Sequence, residues 1–184
     1  KGKNNLQLRR DSDLSIKFSG LITKKILSNE LIKSFSLPKK IHGTIFSKSK
    51  SGMKYGRHID NAYMSSGRAD LSFTVFLNCK KKYEGGALSI EGLNSEEKFK
   101  LDAGEIIIYP STYLHSVEKV IDGERLVFIG WIESYVKSIE EREYLFDLDA
   151  AARSLLAKYG RSEEVDLIYK SVSYTHLRAH ETRL

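Results

Sequence analysis

Residues 52–63 read GMKYGRHIDNAY, an extended-looking segment in which a histidine and an aspartate stand two apart. Successive side chains on a strand face opposite ways, so residues i and i+2 share a face. On that reading His58 and Asp60 project into one space. An imidazole and a carboxylate there make two ligands of mixed character, suited to a borderline divalent metal. The pair alone says little, because an exposed polar strand edge carries the same spacing.

The surroundings are β-rich on both sides. From Ile41 onward short runs follow one another: GTIFSKS, YGRHID, LSFTVFLN, ALSIE, KFKL, EIIIYP, LHSVEKV and RLVFIGWI. Glycine and polar clusters such as SKSGMK, EGG, DAGE and IDGE separate them. Short strands with turn signals at regular intervals suggest a sandwich or jelly roll. Helical crossovers are missing between them, which argues against a parallel α/β sheet. Gly85 and Gly86 read as turn geometry.

Helical patterns flank this region. Residues 11–35 place Leu14, Phe18, Leu21, Ile22 and Ile26 at helical spacing, with Ser28 or Asn29 placed to cap a second short helix. Pro38 then breaks the pattern. Helical periodicity returns in SIEEREYLFDLDAAARSLLAKYG, residues 138–160. The expected organisation is a helical flank over 1–40, a barrel over 41–137 and a C-terminal helical region over 138–170. Lys1 in first place marks the chain as a fragment whose start is missing. Residues 171–184, SVSYTHLRAHETRL, resemble read-through translation of a sequencing adapter and are expected to add nothing to the fold. His176 and His180 there have a zinc-compatible spacing on a helix, but no companion ligands.

Composition narrows the class. The 184 residues, 41% of them hydrophobic, suffice for one well-packed domain. No apolar run is long enough to span a membrane. The formal charge of +6 comes from scattered lysines and arginines, and the densest cluster, KKK at 80–82, reads as a solvated hairpin end, so nucleic-acid binding is not expected. Cys79, the single cysteine, reads as a buried, inert thiol and fits a reducing cytoplasm.

A third metal ligand must come from elsewhere in the chain. His115 is the candidate, because a strand some fifty residues on can lie beside the first in an antiparallel barrel. Two histidines and a carboxylate on one face of an iron leave three positions open. Ten residues further, Arg125 stands among apolar neighbours in GERLVFIGW. A buried guanidinium needs a partner, and the carboxylate of a bound small molecule supplies one in bidentate fashion. Glu124 is the wrong partner, since adjacent strand residues face opposite ways. Tyr109, Tyr113 and Trp131 read as core or pocket wall. Arg68 and Asp70 either line a substrate mouth or fix the loop after NAYMSSG.

With these residues in view, the chain resembles the bacterial PKHD-type hydroxylases, of the iron(II)- and 2-oxoglutarate-dependent dioxygenase superfamily. The resemblance is carried by KNNLQL, GMKYGRHIDNA, RADLSFTVFLN, YEGGALSIE, AGEIIIYPSTYLHSV, ERLVFIGWIES and REYLFDLD, over residues 3–149. It implies a mainly β fold with flanking α-helices on a double-stranded β-helix, the jelly-roll or cupin-like core. It makes His58, Asp60 and His115 the iron(II) ligands and Arg125 the partner of the distal carboxylate of 2-oxoglutarate. Dioxygen is implied as the other cosubstrate, with release of succinate and CO2, and L-ascorbate as the reductant that keeps the iron active. FSKSKSGMKYG lacks the aromatic that family members often carry before GM, leaving Tyr55 as the candidate pocket hydroxyl. A small molecule or a protein side chain fits as substrate, and a homo-oligomer is compatible. The alternative is a metal-binding jelly roll that serves as a sensor or binding module without turnover.

Overall fold

The computed structural model of the chain describes residues 4–92 and 95–181, with side chains to residue 173. The chain divides into two compact units: residues 1–23 with 41–133, and residues 24–40 with 134–184. The first holds the two sheets.

The larger sheet runs in the order β1 (Leu6–Gln7), β2 (Pro38–Lys50), β12 (Val120–Ser134), β6 (Leu71–Phe76), β10 (Ile106–Pro110), with β7 (Tyr83–Gly85) also pairing with β12. The smaller runs β3 (Tyr55–His58), β11 (Leu114–Val117), β8 (Leu88–Glu91), β9 (Glu96–Phe99). A two-stranded hairpin, β4 (Tyr63–Met64) with β5 (Gly67–Arg68), stands apart from both. In the larger sheet β1 runs antiparallel to β2, and β6 to both β12 and β10. In the smaller, β11 runs antiparallel to both β3 and β8, and β8 to β9.

Strand position follows side-chain chemistry. In β6, LSFTVF, every residue is buried, as a strand flanked by β12 and β10 and covered on both faces requires. β9 closes the smaller sheet with EEKF, whose charges blunt an open edge. β10 closes the path of the larger one and ends on Pro110, a residue that edge strands tolerate. Phe73, Phe76 and Phe128 are fully enclosed, with the Phe46 and Phe73 rings 4.6 and 5.8 Å from Phe128. Each such side chain contributes about 1.5–3 kcal/mol by burial. A second cluster, Leu88, Ile90 and Tyr109, packs against Phe99, Ile107, Tyr113 and Val117. Cys79, expected in the core, is only half-buried, because β6 ends at Phe76 and the cysteine lies in the connection after it.

The second unit is mainly helical. Helix α2 (Glu30–Ser36) is capped by Asn29, whose side chain accepts from Ile32 N. Leu37 in the left-handed region closes α2 ahead of Pro38. Helix α3 (Ile139–Tyr159) is capped by Ser138, and α4 (Glu163–Glu181) follows. Helix α4 does not break at residue 170. Val172 is 6% exposed and joins Val136 and Leu145 in an apolar cluster. No helix among the described residues is long and apolar enough to cross a membrane.

Helix α1 (Asp13–Leu27) departs from its sequence pattern. Leu14, Phe18 and Leu21 are 60%, 46% and 56% exposed, and only Ser15 and Ile26 of the helix are buried. The helical spacing is real, but its apolar stripe is mostly left uncovered.

Gly130 shows how tightly the larger sheet is packed. It is the register partner of Phe73, and a Cβ there would lie 2.7 Å from Phe73 Cζ and 3.0 Å from Thr44 Cγ2. Gly130→Ala is therefore expected to destabilise the protein by about 1–3 kcal/mol in urea unfolding.

Candidate metal centre and its cavity

β3 and β11 lie side by side with His58 and His115 as direct register partners. Opposed residues on an antiparallel pair put their side chains on one face, a few ångströms apart. The two imidazole rings are accordingly 4.2 Å apart, centroid to centroid. His58 Nδ1 donates to Gly56 O at 2.8 Å, and His115 Nδ1 to Tyr113 O at 2.9 Å. A carbonyl only accepts, so in each neutral ring Nδ1 carries the hydrogen and Nε2 keeps its lone pair.

Both lone pairs belong to the space that Asp60 enters. Asp60 Oδ1 is 3.9 Å from His58 Nε2, and Oδ2 is 3.7 Å from His115 Nε2. These separations are too long for hydrogen bonds and leave a gap that a cation can fill. The three ligand atoms lie within 4.8 Å of one another. Asp60 reaches this place by a different route from the one its spacing suggested. β3 ends at His58, and residues 59 and 60 lie beyond it. The loop, not the strand pleat, turns the carboxylate inward. There it accepts from Ser72 Oγ at 2.6 Å, and Ser72 Oγ is 2.8 Å from Ser111 Oγ.

His58, Asp60, His115 and Ser72 line a cavity of about 400 Å³ that also reaches Tyr55, Tyr109, Arg125 and Trp131. The volume suits a small organic molecule. The Tyr55 ring stacks at 3.8 Å on His58, and the Tyr109 ring meets His115 at 5.1 Å, edge to face. Burial, and then the negative charge of Asp60, push both phenols up, so they stay protonated at neutral pH.

Arg125 is 3% exposed, and burial pulls its guanidinium below the ordinary value. Its neighbours Tyr83 and Tyr109 act in the opposite direction. Among the described residues Arg125 Nε and the buried Tyr83 hydroxyl lack a hydrogen bond of good geometry, although the two side chains lie close enough to interact and the guanidinium stands 5.5 Å from the centre of the Phe76 ring. Adjacent Glu124 faces the other way and pairs with Lys48 and Lys50. These aromatic neighbours supply no full negative charge, and a guanidinium without a counter-ion is costly to bury, so an anionic occupant would suit the cavity. Gly86 packs against the stem of this arginine: it has φ +65°, and a Cβ there would stand 3.3 Å from Arg125 Cδ and 3.0 Å from Val120 Cγ2. The positive φ alone fits the turn reading of this glycine, and the close packing adds a second reason for it.

Arg68 and Asp70 do not line the cavity. Arg68 forks onto Asp70 through Nε and Nη2 at 2.6 and 2.7 Å, and its Nη1 lies 3.9 Å from Glu133. His42 adds Nε2 to Arg68 O at 2.8 Å and Nδ1 to Ser66 Oγ at 2.9 Å. These bonds brace the β4–β5 loop. The side chains of His176 and His180 lie outside the described residues. Tyr83, Ser72 and Ser111 carried no signal in the sequence, because their partners are distant along the chain.

Residues 44–133 match the model of the 2OG-Fe(II) oxygenase superfamily. A PKHD-type hydroxylase of Prochlorococcus marinus strain MIT 9215 is 76% identical over 173 residues, which cover 94% of this chain and 78% of that protein. A PKHD-type hydroxylase of strain MIT 9211 is 54% identical over the same shares. Among solved structures, a Pseudomonas putida prolyl-4-hydroxylase superposes with a TM-score of 0.51 at 18% identity, covering 71% of each chain. That likeness supports the jelly-roll fold. The family match and these identities place the chain in the 2OG-Fe(II) oxygenase superfamily, and within that superfamily it belongs to the PKHD-type hydroxylases. It is an oxidoreductase, a 2-oxoglutarate-dependent dioxygenase.

The brace around Arg68 has a measurable consequence. Arg68→Ala would remove the guanidinium that lies against the enclosed Asp70 and Glu133 carboxylates. A loss of about 3 kcal/mol is expected in chemical denaturation.

Proposed function

We propose that His58, Asp60 and His115 hold iron(II), and that Arg125 holds the distal carboxylate of 2-oxoglutarate, in an enzyme that hydroxylates a carbon of its substrate. The observation that carries this reading is one cavity with two contrasting needs. At one place three ligand atoms lie within 4.8 Å without hydrogen-bonding one another. At another a buried guanidinium nitrogen has no partner among the described residues. A metal answers the first and an organic anion the second.

Bound there, iron(II) with 2-oxoglutarate and dioxygen supplies an oxidation that yields succinate and CO2 and puts oxygen on substrate carbon. The protein's own residues bind, orient and exclude. The carbonyls of Gly56 and Tyr113 hold each imidazole in the tautomer that ligates. Arg125 offers a planar fork whose two parallel N–H bonds orient a carboxylate. The Tyr83 hydroxyl, kept protonated by burial, is a further donor beside it. Tyr55, stacked on His58, offers a hydroxyl near the metal-facing side. Leu88, Val117, Val127 and Ile129 give the cavity apolar walls that keep water from a reactive centre. This chemistry is assigned to residues 41–137, with 1–40 and 138–170 as flanks. L-Ascorbate is proposed as the reductant that keeps the iron in its ferrous state. The substrate is a small molecule or a protein side chain.

Anaerobic loading with iron(II), followed by 2-oxoglutarate and oxygen, is expected to yield succinate; iron binding without succinate would leave a binding module. Asp60→Ala removes the anionic ligand and is expected to lower iron(II) affinity at least about tenfold in anaerobic titration. Undiminished binding would rule out the assignment. Arg125→Ala is expected to weaken 2-oxoglutarate binding by about 2–5 kcal/mol, measured by calorimetry on the iron-loaded protein. Arg125→Lys keeps the charge without the fork and should recover only part of the loss.

A further inference from the structure

Ser72 and Ser111 are hydroxyls in places that favour apolar side chains. Ser72 lies in the fully buried strand β6, Ser111 directly follows β10, and their exposures are 3% and 2%. Burying a hydroxyl is unfavourable unless it is hydrogen-bonded, and here the bonds run in one direction. Asp60, as a carboxylate, only accepts, so the single proton of Ser72 lies on its 2.6 Å bond to Asp60 Oδ2. Ser72 Oγ must then accept the 2.8 Å bond from Ser111. The result is a polarised relay from Ser111 through Ser72 to one oxygen of the carboxylate. Asp60 Oδ1 has no hydrogen-bond donor among the described residues.

We propose that Ser72, backed by Ser111, is a positioning residue that holds Asp60 as a one-oxygen metal ligand. The relay keeps Oδ2 engaged with Ser72 and presents Oδ1 to the ion, which fixes the rotation of the carboxylate. The consequence is a count of open positions. An octahedral ion held by two imidazoles and one carboxylate oxygen keeps three sites, enough for a chelating 2-oxo acid and dioxygen. A carboxylate gripping with both oxygens would leave two. The proposed role of Ser72 acts through Asp60. This rests on the metal-site reading above.

The test compares wild type with S72A, S72T and S111A. Each is melted to establish folding, titrated anaerobically with iron(II), and examined by visible absorption after loading with cobalt(II), whose bands report the ligand set and its symmetry. Wild type is expected to bind both metals. S72A is expected to melt as a folded protein, to bind iron(II) about tenfold more weakly, and to show an altered cobalt(II) spectrum. S111A should show a smaller loss, and S72T, which keeps the donor, should stay near wild type. A folded S72A with wild-type affinity and an unchanged spectrum overturns the proposal. So does an S72T that melts like wild type but falls as far as S72A. If S72A fails to fold, S111A decides, weakened iron binding supporting the relay and unaltered binding overturning it. A wild type that binds neither metal would overturn the site reading itself, and this inference with it.

Discussion

The antiparallel register of β3 and β11, with His58 opposite His115, is the constraint on which the site depends. Side chains alternate along a strand, so a slip of one residue would carry His115 to the other face. The register is protected from both sides. β11 also pairs with β8 through four consecutive residues, and β8 is anchored by the buried Leu88 and Ile90. The same apolar cluster that stabilises the smaller sheet therefore sets the distance between the two imidazoles. Asp60 needs no strand of its own, because its place is set by the hydroxyl of Ser72 across the cavity.

The site is held against the tendencies of an ordinary core. It keeps two imidazole lone pairs and a carboxylate close together without direct hydrogen bonds, and it buries a guanidinium whose Nε is unmatched among the described residues. Each of these opposes folding unless a ligand compensates it. The enclosed phenylalanines of the larger sheet and the Arg68–Asp70–Glu133 brace offset that opposition on neighbouring strands. Ligands that bind the folded state alone add stability by mass action, so metal and organic anion are expected to raise the melting temperature.

Much of this was legible in the chain, though not always for the reason that spacing suggests. His58, Asp60, His115 and Arg125 stand out because their types and spacing are unusual among apolar strands, and the structure brings all four to one cavity. Period-two alternation did not place Asp60, which lies past the end of β3. The mainly β class followed from short runs broken by turn residues. Their pairing into two sheets did not, since β12 takes partners as distant as β2 and β6. Local patterns are equally silent on Tyr83, Ser72 and Ser111, whose meaning comes from side chains far along the chain. Helix α1 shows the converse. Its apolar spacing is plain, yet Leu14, Phe18 and Leu21 are exposed, because periodicity reports a face and not what covers it.

In the proposed site one cation sits between two imidazole Nε2 atoms and one carboxylate of this cavity. Anomalous diffraction at the iron edge, from crystals grown anaerobically with iron(II), tests it most directly. A single strong peak is expected within bonding distance of His58 Nε2, His115 Nε2 and one oxygen of Asp60. A peak elsewhere, or none at this site in crystals shown to contain iron, would contradict it.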